Sequence, residues 1–144
     1  MNDLIQINVG SSAVSGLLGR LAAQGADMSA AFREIAGVMA DSVEENFARE
    51  GRPPWNRSIR AEREGGKTLQ DSGRLAASIN ARSSSESAAV GTNLIYAAIH
   101  QFGGQAGRNK RVTIPPRPFL AIQDEEMGEV MDIINRHLLG GEHV

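Results

Sequence analysis

Ser72, His100 and Asp71 are the residues of this chain best suited to covalent catalysis, supplying a hydroxyl, an imidazole and a carboxylate. Nothing around Ser72, however, resembles the strained G-x-S-x-G turn that exposes a nucleophile after a strand. Asp71 reads more simply as a helix N-cap, where a carboxylate accepts hydrogen bonds from free backbone N–H groups. His100, His137 and His143 are far apart, and none stands in a metal-binding spacing such as H-E-x-x-H. His100 lies in an apolar stretch and reads as a structural imidazole bonded through one ring nitrogen. The consecutive carboxylates Asp124, Glu125 and Glu126 fan around a helix axis and do not converge on one cation. They match the first turn of a helix, where the macrodipole favours negative charge. Gly103, Gly104 and Gly107 lack the lysine spacing of a phosphate-binding loop. No cysteine is present, which excludes disulfides and thiolate zinc sites. The expectation is a protein that is not an enzyme, with no catalytic residue, cofactor, metal or small-molecule substrate.

Charge is more informative in its distribution than in its total of −2, which gives no general reason for nucleic-acid affinity. Arg49, Arg52, Arg57, Arg60, Arg63 and Lys67 are opposed only by Glu50, Glu62 and Glu64. A second basic stretch carries Arg108, Lys110, Arg111 and Arg117, with no acid between Gln101 and Gln123. An acidic segment follows, with Asp124, Glu125, Glu126, Glu129 and Asp132. Cations of this kind meet either DNA phosphates or acidic protein surfaces. Single-strand binders interleave aromatics with charge, and here only Trp55 and Phe102 stand near the cations, so protein contact is the favoured reading. Apolar content is 41%, no run reaches the length of a membrane helix, and the N-terminus lacks a signal-peptide pattern, so a soluble protein that meets no membrane is expected.

The elements that would position these residues follow from periodicity. Leu4 to Val9 alternate as a half-buried strand, and a short helix is expected over 12–25 with Gly25 as its stop. Asp27 caps a long helix in which Met28, Ala31, Phe32, Ile35, Val38, Met39, Val43 and Phe47 recur at helical spacing. Arg33, Glu34, Asp41, Glu44 and Glu45 form its solvated face. Residues 50–70, with Pro53, Pro54, Gly65 and Gly66, read as an extended loop with a helical turn near Ile59 and Trp55 as its anchor. Asp71 or Ser72 caps a short helix beginning at Gly73 and Arg74. Two strands near Ser78 to Ser83 and Glu86 to Thr92 flank a serine-rich turn. Tyr96 to Phe102 is apolar enough for burial and fits either a helical turn or a strand. Residues 103–112 read as a flexible basic loop running into a strand at Val112 to Ile114. A final helix runs from Phe119 to Leu139, with Ile122, Met127, Val130, Ile133, Ile134 and Leu138 on its apolar face. The fold class is α+β: one domain over residues 1–144, its mostly antiparallel sheet of four or five strands packed by the long helix and the C-terminal helix. Loops of such length usually carry function, so 50–70 and 103–112 are where partners are expected.

Trp55, LQDSGRLAASI from Leu69 to Ile79, VGTNLIYAAIHQFGG from Val90 to Gly104 and IPPRPFLAI from Ile114 to Ile122 form an ordered series. Over the chain from Asp27 onward this series resembles the phage virion morphogenesis family, the tail-completion or neck proteins of Mu-like tailed phages. The resemblance implies a structural virion subunit that completes the tail or head-tail junction. It further implies a ring around the DNA channel, with a hexamer favoured and a dodecamer as the alternative. Tail terminator or tail tube proteins and head connector or closure proteins would be its neighbours. The location implied is the virion neck, and the host cytoplasm during assembly. Within the resemblance Tyr96, Phe102, Phe119 and Leu120 are suited to the core. Arg117, between Pro116 and Pro118, is held on a stiff segment suited to a fixed salt bridge. Together with the loops, this selects Arg52, Trp55, Arg57, Tyr96, His100, Gln101, Phe102, Arg108, Lys110, Arg111, Arg117 and Phe119 as contact residues. A non-specific nucleic-acid-binding module is the competing reading.

Overall fold

The computed structural model describes residues 5–10, 27–70 and 73–142. The helix expected over 12–25, the cap at Asp71 or Ser72, His143, and the side chains of Val9 and Leu138 lie outside the described residues. The fold is α+β. Strands β1 (Ile5–Gly10), β2 (Asn80–Ser83) and β3 (Ser87–Thr92) form one sheet in the order β1-β3-β2. Strands β4 (Gly104–Ala106) and β5 (Val112–Ile114) form a second, two-stranded antiparallel sheet. The strands therefore divide between two sheets where one was expected. The helices are α1 (Ser29–Ala48), α2 (Ile59–Glu64), α3 (Arg74–Ala77), α4 (Ala97–Phe102) and α5 (Asp124–Glu142).

Asp27 begins α1 as expected: its Oδ1 accepts from the Ser29 amide at 3.0 Å and the Ser29 hydroxyl at 2.7 Å. These bonds, the hydroxyl's first, hold the Asp27 carboxyl below its ordinary pKa. β1 keeps the alternation expected of a half-buried strand, with Ile5 and Ile7 less exposed than Gln6 and Asn8. β3, central in its sheet, is buried from Ala88 to Thr92, which suits its small residues. The serine-rich turn closes as a hairpin, the Ser84 amide donating to the Ser87 carbonyl at 2.9 Å.

The chain falls into two compact units, Met1–Gln6, Val43–Asn80 and Gly91–Ala121 forming one, and Ile7–Ser42, Ala81–Val90 and Ile122–Val144 the other. In the second unit Met28, Ala31, Phe32, Ile35, Ala36 and Met39 of the α1 side are buried, as are Ala88, Val90, Val130, Ile133 and Ile134. α5 begins at Asp124, later than its expected start at Phe119. Glu126 explains the position, because its Oε1 accepts from the Gln123 amide at 2.8 Å, the return half of a capping box. The same oxygen accepts from the buried Ser42 hydroxyl at 2.7 Å. Glu34, expected on a solvated face, bonds His137 and pairs with Arg136 at 3.4 Å. The His137 bond is the main reason its carboxyl sits below the usual range.

In the first unit Val43, Phe47, Ala61, Leu75, Ala97, Phe119 and Leu120 are buried. Phe47 stacks edge-on to Trp55 at 6.0 Å and tilted against Phe119 at 5.3 Å, so Trp55 is the anchor expected of it. α1 ends in a tight turn in which the Gly51 amide reaches the Asn46 carbonyl at 2.8 Å. Gly51 has φ +103, and a Cβ there would lie 2.5 Å from the Trp55 ring, so both backbone and space demand glycine.

Candidate functional site

The two most family-like motifs fold into one piece of structure. α4 presents Ala97 and the Gln101 side chain inward, and Gln101 clamps the extended segment that follows Pro118. Its Oε1 accepts from the Phe119 amide at 3.1 Å and the Leu120 amide at 2.9 Å, while its Nε2 donates to the Leu120 carbonyl at 3.1 Å. The Arg117 amide donates to the His100 carbonyl at 2.8 Å. Gly103 allows the close approach: with φ +75, a Cβ there would meet Pro116 N at 2.8 Å and Ile114 O at 2.9 Å. From the other side, the fully buried Asn46 donates to the Phe119 and Ala121 carbonyls at 2.8 and 3.0 Å and accepts from Arg52 Nε at 2.7 Å. Buried amides that bond this fully fix a segment, because each lost partner would leave a desolvated polar group.

These contacts place the expected contact residues in three groups. Arg52, Trp55, Arg57, Gln101 and Phe119 serve the fold: Trp55 Nε1 donates to the Pro118 carbonyl at 3.2 Å, and Arg57 to the Gly66 carbonyl at 3.1 Å. Phe119 is fully buried. Tyr96, His100 and Arg117 come together around a cleft of about 280 Å³ that Ser58, Arg60 and Leu75 also line. Arg108, Lys110, Arg111 and Phe102 are exposed on and beside the β4–β5 hairpin.

The cleft corrects three expectations. Tyr96 and Phe102 are 40% and 69% exposed and do not fill the core, because α4 is a six-residue helix whose inward positions are Ala97 and Gln101. Arg117 makes no ion pair among the described residues; it is 7% exposed and its Nε donates to the Asn56 carbonyl at 2.7 Å. Burial pushes its pKa down. His100 stacks edge-on to Tyr96 at 6.0 Å, and its Nδ1 is buried without a hydrogen-bond partner among the described residues, where a bonded ring nitrogen was expected. Burial, and then the positive charge of Arg117, lower its pKa, so the ring is neutral near pH 7. Ser58 Oγ is occupied as the N-cap of α2, accepting from the Ala61 amide at 3.1 Å. The cleft thus offers cations, and its serine hydroxyl is engaged in the fold.

The stretch over 103–112, expected as a loop running into a strand, forms most of a two-stranded hairpin. Gly104 pairs with Ile114, Gln105 with Thr113 and Ala106 with Val112, and a 3₁₀ turn at Arg108–Lys110 forms the tip. Residues 50–70 likewise contain the six-residue α2 and capped turns. Polar residues missed by pattern reading, namely Ser42, Asn46, Thr68 and Thr92, are all buried and bonded. No group of His, Asp or Glu among the described residues is arranged to hold a metal ion. No helix among them is long and apolar enough to cross a membrane.

The described residues thus form an α+β framework with a buried polar clamp and an exposed cationic hairpin. The sequence model of the phage virion morphogenesis family matches residues 9–139, and the chain belongs to that family. It is 40% identical over 133 residues to Mu-like prophage FluMu G protein 2 of Haemophilus influenzae, covering 91% of this chain and 94% of that one. It is 30% identical over 119 residues to Putative capsid assembly protein G of Escherichia phage Mu, covering 74% and 76%. No solved structure matches it significantly. The chain is accordingly a phage morphogenesis protein, with a structural role in assembly.

Proposed function

We propose that the chain is a non-enzymatic, ring-forming subunit that completes the tail or the head-tail junction of a tailed phage. It sits at the virion neck after assembly in the host cytoplasm, and DNA passes through the lumen without sequence-specific contact. A hexamer, matching a tail, is favoured over a dodecamer, matching a connector. The flanking partners are tail terminator or tail tube proteins on one side and head connector or closure proteins on the other. The observation that carries this reading is the β4–β5 hairpin. It is a separate small sheet with a cationic tip, exposed Phe102 and Val112 beside it, and a base held rigid by the Gln101 clamp. A rigid base with an exposed arm suits a subunit that docks in one orientation. The test is removal of the subunit from a producing phage. Filled heads and separate tails should accumulate and should join when purified subunit is added. Normal yields of complete virions without it would contradict the proposal.

The exposed tip also favours a second reading, in which the hairpin binds duplex DNA non-specifically. Tight binding by the isolated protein that weakens steeply with salt would support it.

A further inference from the structure

The hairpin has the features of a surface built to be covered. A two-stranded sheet is marginal alone in water, and β4 and β5 have no third strand among the described residues. Val112 is 56% exposed on it and Phe102 69% exposed at its base. At the tip Asn109 and Lys110 hold φ of 59° and 54°, a left-handed conformation costly for residues with a side chain. Arg108, Lys110 and Arg111 crowd there, all exposed, and none forms an ion pair among the described residues. Three like charges on so short a turn repel one another modestly in water, and an acidic surface meeting them would turn that repulsion into attraction.

α5 carries the opposite feature. Glu126 turns inward to cap the helix, whereas Asp124, Glu125, Glu129 and Asp132 are exposed and form no ion pair among the described residues. Glu125, Glu129 and Asp132 follow one another at four- and three-residue steps, which puts them on one helix face as like-charged neighbours. Such pairs destabilise a helix. The macrodipole accounts for acids in the first turn, but its effect fades beyond that turn, before Glu129 and Asp132. No basic residue follows Asp124 until Arg136, which pairs with Glu34.

We infer that the basic hairpin of one copy docks on the acidic face of α5 in the next copy. Arg108, Lys110 and Arg111 would meet Glu125, Glu129 and Asp132, with Phe102 and Val112 buried beside the charges. This occupant is favoured because the chain itself carries a matching number of exposed charges of opposite sign on one helix face, none of them ion-paired among the described residues. Two different surfaces meet in such a contact, so it repeats head to tail and closes into a ring when its rotation closes. The inference rests on the ring reading and names the contact that builds the ring.

Charge reversal tests it on the purified full-length chain, followed by native mass spectrometry and sedimentation velocity. One variant carries Arg108→Glu, Lys110→Glu and Arg111→Glu, the other Glu125→Lys, Glu129→Lys and Asp132→Lys. Wild type should self-associate, and each variant alone should associate at least about a hundredfold more weakly, since like charges brought together cost several kcal/mol. The two variants mixed should associate in a 1:1 alternating order, because each supplies the surface the other now fits. The chain with all six substitutions should self-associate again. Unchanged circular dichroism confirms folding, and Arg108→Ser, Lys110→Ser and Arg111→Ser should weaken association without adding repulsion. If both reversed variants form wild-type rings, or if their mixture stays monomeric, the inference is overturned while the ring reading stands. A wild-type chain that is monomeric in solution and single-copy in the particle overturns both. Loss of duplex DNA binding by the hairpin variant with association unchanged overturns the inference in favour of nucleic acid.

Discussion

Between Arg49 and Lys67 six cations stand against three acids, and between Arg108 and Arg111 three stand against none, yet the larger cluster is the one committed to the fold. Arg49 pairs with Glu45, Arg52 holds Asn46, Arg57 and Arg60 donate to the Gly66 and Lys67 carbonyls, and Lys67 donates to the Ala48 carbonyl at 3.2 Å. This stretch lies beside the ends of α1 and α2, where terminal carbonyls lack helical partners and draw in cations. Glu50 joins the same network: its carboxylate accepts from the Thr68 amide at 2.8 Å, the leading cause of its lowered pKa. α4 ends just before the hairpin, but its Ile99 and His100 carbonyls already accept from the Gly103 and Arg117 amides, each at 2.8 Å, and the hairpin's cations stay exposed. Charge counts along a sequence locate basic segments; the local supply of backbone acceptors decides which of those charges remain for a partner.

The largest effect is expected at Phe119, against which Phe47 packs: Phe119→Ala should cost about 3–5 kcal/mol in urea unfolding, because a large cavity opens. Next comes Asn46→Ala, which leaves two carbonyls and Arg52 without their partner and should cost about 1–3 kcal/mol by the same measurement. A similar loss on removing the hairpin cations would erase the distinction between the regions. A smaller effect concerns pH. The folded pKa of His100 lies below its ordinary 6.5, so the unfolded chain binds the proton more readily and stability falls as pH drops from 6.5 through the folded value. His100→Gln should flatten the dependence of Tm on pH between about pH 7 and pH 5. An unchanged profile would show that the ring is not held neutral by its surroundings. The smallest stability effect is expected for Arg108→Ser, Lys110→Ser and Arg111→Ser together, within about 0.5 kcal/mol of wild type.

Elements set by local periodicity were legible in the sequence. The apolar spacing of α1, its Asp27 cap and the serine turn between β2 and β3 all depend on neighbours close in the chain. Features set by distant partners were not legible. Phe119 to Gln123 continue a helical pattern, yet bonds from Gln101 and Asn46 hold Phe119 to Ala121 extended, and α5 starts only at Asp124. Asn46 and Thr68 stand outside the apolar pattern and are not singled out by it, although both are buried and bonded. Tyr96 and Phe102 read as core, because apolar character along seven residues does not tell which side of a short helix and its cap faces inward. Of the expected contact residues, the family motif marked those that bind α4 to the segment after it. Those left exposed on the hairpin were marked by charge alone.

The central claim is that this phage morphogenesis protein acts through the hairpin and not through the basic stretch near α2. Its most direct test is virion yield when a subunit carrying Arg108→Ser, Lys110→Ser and Arg111→Ser replaces the wild type in a producing phage. A protein with wild-type Tm and a collapse in complete virions, with heads and tails left unjoined, is the predicted result; normal yield from the same folded variant would contradict it.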